Sequence, residues 1–143
     1  LRDIALYVIV GKGHPWCQNQ QISIDELNGQ PFITRQPSSQ TRIWIDGVLM
    51  RHGVSPRIVA EFDNPESIKH AVMSNMGVTI LPDYAVKREV EGGMVRALPL
   101  KDVPLLRQLK LIHKKGRPFS AVTRAFLKHI QNELPNIKPL LDK

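Results

Sequence analysis

Arg57 to Ile68 reads RIVAEFDNPESI, and this junction decides the fold class. Arg57 to Phe62 is short and rich in β-branched and aromatic side chains, which suits a strand. Asn64-Pro65-Glu66 then opens a helix: Asn64 accepts from exposed N–H groups, Pro65 fits the first helical position, and Glu66 complements the positive end of the helix dipole. The helix carries Ile68, Ala71, Val72 and Met76 inward and stops at Gly77. A strand that passes directly into a capped helix is the repeating unit of an α/β domain.

Downstream the unit recurs. Val78 to Leu81 (VTIL) is a strand closed by Pro82, and a short helix from Asp83 to Glu91 ends at Gly92-Gly93. Met94 to Leu98 and Leu109 to His113 read as strands. Ser120 caps a final helix reaching Leu134, which Pro135 terminates. Upstream, Ile4 to Val10 (IALYVIV) is apolar at both parities, so it is a central strand covered on both faces. Ser23 and Glu26 form a capping box, with Ile22 stapled onto Leu27, for a short helix that Gly29 ends. Pro31 to Arg35 (PFITR) is a strand. Ser39 caps a helix that runs to His52 with an apolar stripe of Trp44, Ile45, Val48 and Leu49, and Gly53 stops it. The alternation predicts an α/β fold with a mainly parallel sheet and helices on both faces. The last helix presents Val122, Ala125, Phe126 and Ile130, flanked by Leu127 and Leu134. That stripe either packs on this sheet or belongs against a neighbouring lobe, to which the polar loop His113 to Phe119 carries the chain.

The 143 residues are 42% hydrophobic and 23% charged, the composition of one globular domain, with no apolar run long enough for a membrane helix. Cys17 is the sole cysteine, which excludes an intramolecular disulfide and suits a reducing, cytoplasmic setting. Leu1 opens the chain inside a strand pattern, so a natural N-terminus upstream is expected. The net charge of +7 sits entirely in Arg107 to Lys143, since Leu1 to Leu106 holds 11 basic and 11 acidic residues. Such an excess attracts nucleic acid or an acidic partner, or it is a solvated helix face and tail; no compact nucleic-acid motif accompanies it.

In open α/β sheets, ligands bind beyond the carboxyl ends of strands, where helix N-termini present N–H groups and positive potential. Two such ends stand out. At Asn64 the helix already has Glu66 in its first turn and Asp63 before it, which makes it the poorer anion site. At Ser39 there is no acid in the first turn, Arg35 and Arg42 are close in sequence, and Ser38, Ser39 and Thr41 offer hydroxyls. A carboxylate, sulfate or phosphate matches that end; in the plainer reading Ser39 only caps its helix. No catalytic or metal set emerges, and no cofactor motif. Histidines 14, 52, 70, 113 and 129 lack metal-ligand spacing, His14 and Cys17 are adjacent without a nucleophile pattern around them, and Gly11-Lys12-Gly13 lacks the rest of a phosphate loop.

Several pieces together carry a family resemblance. Leu6 to Trp16 (LYVIVGKGHPW), Ile24 to Leu27 with Gly29 to Ile33, Glu61 with Asn64 to Lys69 and Ala71-Val72, Gly77 to Pro82 (GVTILP), and Ala125 to Leu127 stand in the order and spacing of one family. The chain resembles the effector-binding domain of LysR-type transcriptional regulators. That resemblance implies a two-lobed domain akin to type 2 periplasmic solute-binding proteins, with an effector in the cleft between lobes. On it, residues 1–11 are a crossover strand, 12–108 the second lobe, and 109–143 the other crossover with the C-terminal helix returning to the first lobe. The family's N-terminal winged helix-turn-helix and most of the first lobe have no counterpart here, so DNA is contacted only through that further domain. The cleft-facing turns fall on Pro37, Ser38, Ser39, Gln40 and Thr41, and on Phe62, Asp63 and Asn64. The implied partners are a small, anionic effector and further copies of the chain, as a homodimer or tetramer, with no membrane. Asn64 to Val72 is also reminiscent of members linked to carbon and sulfur assimilation. The alternative is a transporter's solute-binding protein, which shares the fold.

Overall fold

A computed structural model describes residues 2–114, 116 and 118–133. The chain forms two compact units, one of residues 5–106 and one of residues 1–4 with 107–143. The larger unit takes up β1 (Arg2–Gly11), which begins in the smaller, and continues through β2 (Pro31–Arg35), α1 (Gln40–Arg51), β3 (Arg57–Phe62), α2 (Pro65–Met73), β4 (Thr79–Pro82), α3 (Asp83–Glu91) and β5 (Val95–Leu98). Two single 3-10 turns, Pro15–Gln18 and Ile24–Leu27, replace a helix between β1 and β2.

The architecture is α/β, but the sheet is not mainly parallel. β2 and β3 form a parallel ladder, with Thr34 opposite Glu61, and Phe32 bridges in parallel to Val78 just before β4. β1, however, lies between β4 and β5 and pairs antiparallel with both, Val8 facing Ile80 on one side and Leu98 on the other. A parallel neighbour requires a long crossover. The segment after β1 supplies only the two 3-10 turns, and β4-α3-β5 makes its crossover over β1 rather than beside it. Alternation of strands and helices reveals crossovers, not which strand is slotted between them.

Both faces of β1 are covered. Ile9 packs with Ile33, Ile68, Ala71, Val72, Leu81, Val86 and Val95, while Val8 and Val10, on the opposite face by the strand's period, are equally buried. Each such side chain contributes roughly 1.5–3 kcal/mol of burial. Phe32, Leu27 and Leu98 are fully buried as well.

The end of α2 differs from its reading as a helix running to Gly77. The helix stops at Met73 because Asn75 takes the left-handed conformation (φ 56°), and the Asn75 and Met76 N–H groups close onto the Val72 and Ala71 carbonyls at 2.9 and 3.1 Å. Met76 therefore turns outward, 50% exposed. Gly77 has another purpose: a Cβ there would sit 2.6 Å from the Pro31 carbonyl oxygen, so only glycine lets this backbone run against β2. The strand expected from Met94 starts at Val95, and that expected from Val78 starts at Thr79.

β6 (Leu106–Leu109) starts at the last residue of the larger unit and ends four residues before the end of the expected strand, Leu109 to His113; the smaller unit also holds α4 (Ala121–Glu133). Ser120 caps α4, its hydroxyl accepting from the Thr123 N–H at 3.1 Å. Of the expected stripe, Val122, Ala125 and Phe126 are exposed and Ile130 half-buried; Leu127 is the buried residue of this helix. Leu134 and Pro135 lie outside the described residues. No helix among the described residues is long and apolar enough to cross a membrane.

Candidate effector-binding site

The carboxyl ends of β2 and β4 and the N-termini of α1, α2 and α3 surround one cavity of about 90 Å³. Its floor is apolar, built from Phe32, Ile45, Ile68, Ile80 and Leu81. Its polar groups are Thr34 and Arg35 from β2, Thr41 and Arg42 from α1, Thr79 from β4, and Tyr84 from α3.

The two predicted turns are brought together. The Gln36 N–H donates to the Phe62 carbonyl at 3.0 Å, and Arg35 Nη2 donates to the Asp63 carbonyl at 2.8 Å, so the ends of β2 and β3 are tied side by side. Ser39 is the N-cap of α1, accepting from the Arg42 N–H at a long 3.4 Å. Asn64 caps α2 more closely, accepting from the Ser67 N–H at 2.8 Å while its amide donates to the Asp63 carboxylate at 2.8 Å. The α2 end is thus occupied by its own neighbours. Among the predicted residues, Thr41 lines the cavity; Pro37, Ser38, Gln40, Asp63 and Asn64 are exposed around it, and Ser39 and Phe62 are half-buried.

The charge distribution differs from the expectation that both arginines serve an anion. Arg42 is neutralised: Nη1 lies 3.1 Å from Glu61 and 2.8 Å from the Arg35 carbonyl, and Nε 3.3 Å from Asp46. Arg35 donates to the Gln36 side chain and the Asp63 carbonyl and has no acidic partner among the described residues. Arg35 is therefore the net positive charge at the cavity. Proximity in sequence could not separate the two arginines, because Glu61 reaches Arg42 only through the β2–β3 ladder.

Residues from α3 were missed altogether. Pro82, Tyr84 and Ala85 reach the cavity because β4 runs beside β2, which the Phe32–Val78 bridge establishes. The signal was the strand-to-helix junction at Pro82-Asp83, a third helix start of the same kind as the two selected. Behind the cavity α2 is clamped to α3: Lys69 Nζ lies 2.7 Å from Glu89 Oε1 and 2.8 Å from Glu66 Oε1. Burial draws the Lys69 pKa down, but the hydrogen bonds and charges of Glu66 and Glu89 outweigh it and leave it raised; the bond to Lys69 holds the Glu89 carboxyl below its ordinary value against its own burial. Elsewhere, His14 Nδ1 accepts from the Trp16 N–H at 3.1 Å, and the His14 carbonyl accepts from the Cys17 N–H at 2.9 Å; burial lowers the His14 pKa.

Residues 1–135 match the LysR substrate binding domain. The chain belongs to the LysR substrate-binding domain family. It is 30% identical over 128 residues to the RuBisCO operon transcriptional regulator of Acidithiobacillus ferrooxidans, covering 90% of this chain and 41% of that protein. The chain therefore spans about two fifths of the length of the curated relatives it matches. Among solved structures, the CcmR regulatory domain of Synechocystis PCC6803 in complex with 2-PG superposes with a TM-score of 0.81 at 28% identity, over 94% of this chain and 65% of that one. The effector-binding domain of QuiR in complex with shikimate shares the fold, with a TM-score of 0.75 at 18% identity over 93% of this chain and 62% of that one. The LysR relatives are transcriptional regulators, and the reading as a transporter's solute-binding protein finds no support among them.

Proposed function

We propose that this LysR domain senses a small anionic metabolite and transmits its presence to transcription. Residues 12–108 act as the second lobe of a two-lobed, periplasmic-binding-protein-like domain, with residues 1–11 and 109–143 as the crossovers and the helix returning to the first lobe. The regulator works in the cytoplasm as a homodimer or tetramer and contacts DNA through a separate N-terminal domain. The effector seats on Pro37 to Thr41 and Phe62 to Asn64, with Ser39 and Thr41 donating to it. By favouring one relative orientation of the lobes, it shifts a population that the oligomer passes on.

The observation that carries this reading is the convergence of three helix N-termini on a cavity lined by Arg35, which has no acidic partner among the described residues. Helix N-termini and an arginine together favour an oxyanion. The CcmR domain, bound to 2-PG, points to the same chemistry. Titration of the isotopically labelled chain with 2-phosphoglycolate, followed by amide chemical shifts into the millimolar range, tests it. The Arg35, Thr41 and Arg42 amides are expected to move, and the Ser39→Ala/Thr41→Ala double variant to bind more weakly. Unchanged affinity in that variant would sink the site assignment.

A further inference from the structure

We infer that Lys69 is a positioning residue for anion binding: by bridging Glu89 and Glu66 it sets α3 against α2 one turn behind the cavity and holds the Glu66 carboxylate in the groove there. The inference rests on the effector-site reading above and adds to it a group that does not touch the ligand. Lys69 is 6% exposed, an uncommon burial for an ammonium. Its Nζ lies 2.7 Å from Glu89 Oε1 on α3 and 2.8 Å from Glu66 Oε1 on its own helix. Stability does not account for this arrangement. Burying an ion pair costs about as much as the pair returns, and apolar side chains of similar volume serve as well. One oxygen, Glu89 Oε2, is even buried with no hydrogen-bond partner among the described residues. What a charged, hydrogen-bonded pair supplies beyond an apolar contact is direction and register.

The two elements so registered frame the cavity. Pro65, the first residue of α2, and Tyr84 and Ala85, in the first turn of α3, line both the cavity and the open groove between these helices. Lys69 and Glu89 line the groove about one helical turn after Pro65 and Ala85, so their bond sets the spacing of the two helix ends. Glu66 also lines the groove and is absent from the cavity wall, although it follows Pro65 directly. An acid in the first turn of a helix competes with an external anion for the positive end of the dipole. Tied to Lys69, Glu66 is kept clear of the cavity and partly neutralised.

The test is a mutant cycle read as affinity for 2-phosphoglycolate, by amide chemical shift, with urea midpoints measured in parallel. Lys69→Met/Glu89→Leu exchanges the pair for apolar side chains and leaves the net charge of Lys69, Glu89 and Glu66 together unchanged, so a general field effect predicts no loss. This variant is expected to bind about fivefold more weakly, the size of a helix-end charge effect, with a midpoint close to that of the wild type. Adding Glu66→Gln should restore most of the affinity, whereas Glu66→Gln alone should change it by less than about twofold. Lys69→Gln/Glu89→Gln, which keeps a hydrogen bond between the helices, carries the same comparison if the apolar pair does not fold. Wild-type affinity in the double variant, or an equal effect of Glu66→Gln in both backgrounds, would overturn the inference and leave the pair a packing device. If that comes with weakened binding in the Ser39→Ala/Thr41→Ala variant, the Lys69 role fails and the site stands. If the Ser39/Thr41 variant also binds as the wild type does, or 2-phosphoglycolate does not bind the wild type, the site reading fails and takes the Lys69 role with it.

Discussion

Replacing Glu89 by leucine is expected to destabilise the larger unit, and replacing Lys69 by methionine in the same chain is expected to restore most of the loss. The side chains of Lys69 and Glu89 are 8% and 13% exposed and joined at 2.7 Å. Removing one partner of a buried ion pair costs about 3–5 kcal/mol, because the other charge is left desolvated. Here Glu66, 71% exposed and 2.8 Å from the same ammonium, offsets part of it, so the single variant should lose about 2–4 kcal/mol. The double variant removes both desolvation costs and also the buried Glu89 Oε2, which has no hydrogen-bond partner among the described residues. Its stability should return to within about 1 kcal/mol of the wild type. Urea unfolding followed by tryptophan fluorescence measures both. For a unit of this size, each kcal/mol moves the thermal midpoint by about 4–8 °C, so the single variant is well resolved by melting too. A single variant as stable as the wild type, or a double variant as unstable as the single, would refute the view that this pair is a desolvated clamp between α2 and α3.

Acid should loosen the same clamp. Because the folded Glu89 pKa lies below its ordinary 4.5, its contribution is present above that value and is lost as pH falls through the depressed folded value; Glu89→Gln should flatten the urea midpoint below about pH 4.5. Gly77→Ala forces a Cβ against the Pro31 carbonyl and strains the Val78 N–H to Pro31 carbonyl bond of 2.9 Å, and it should cost about 2–4 kcal/mol in urea unfolding; a neutral result would contradict the close approach. The two caps should differ, with Asn64→Ala losing about 1–2 kcal/mol and Ser39→Ala about 0.5 kcal/mol, because their cap bonds measure 2.8 and 3.4 Å; equal losses by thermal melting would contradict that ranking.

What could be read from the sequence was what neighbouring residues decide. Asn64-Pro65-Glu66 placed the start of α2, the glycines after Glu91 placed the end of α3, and PFITR and RIVAEF gave β2 and β3 with their observed bounds. Ser39 and Asn64 were both recognised as helix caps. Pairings between distant segments were not legible. The antiparallel setting of β1, the neutralisation of Arg42 by Glu61 and the arrival of Tyr84 at the cavity all follow from which strand lies beside which. Asn75 in place of Gly77 as the helix stop was missed because asparagine adopts the left-handed conformation less often than glycine.

The position of β1 between β4 and β5 also sets an order of events during synthesis. β1 leaves the ribosome well before the strands it pairs with, since Ile9 finds its partners only at Thr79 and Ala97. At about 5–20 residues per second that interval is roughly 4–18 s, during which β2, α1 and β3 can assemble from local contacts while an apolar strand waits unpaired. IALYVIV therefore stays open to misassociation until Thr79 and Ala97 have been made, and completing the sheet is a late, long loop closure rather than part of the first collapse.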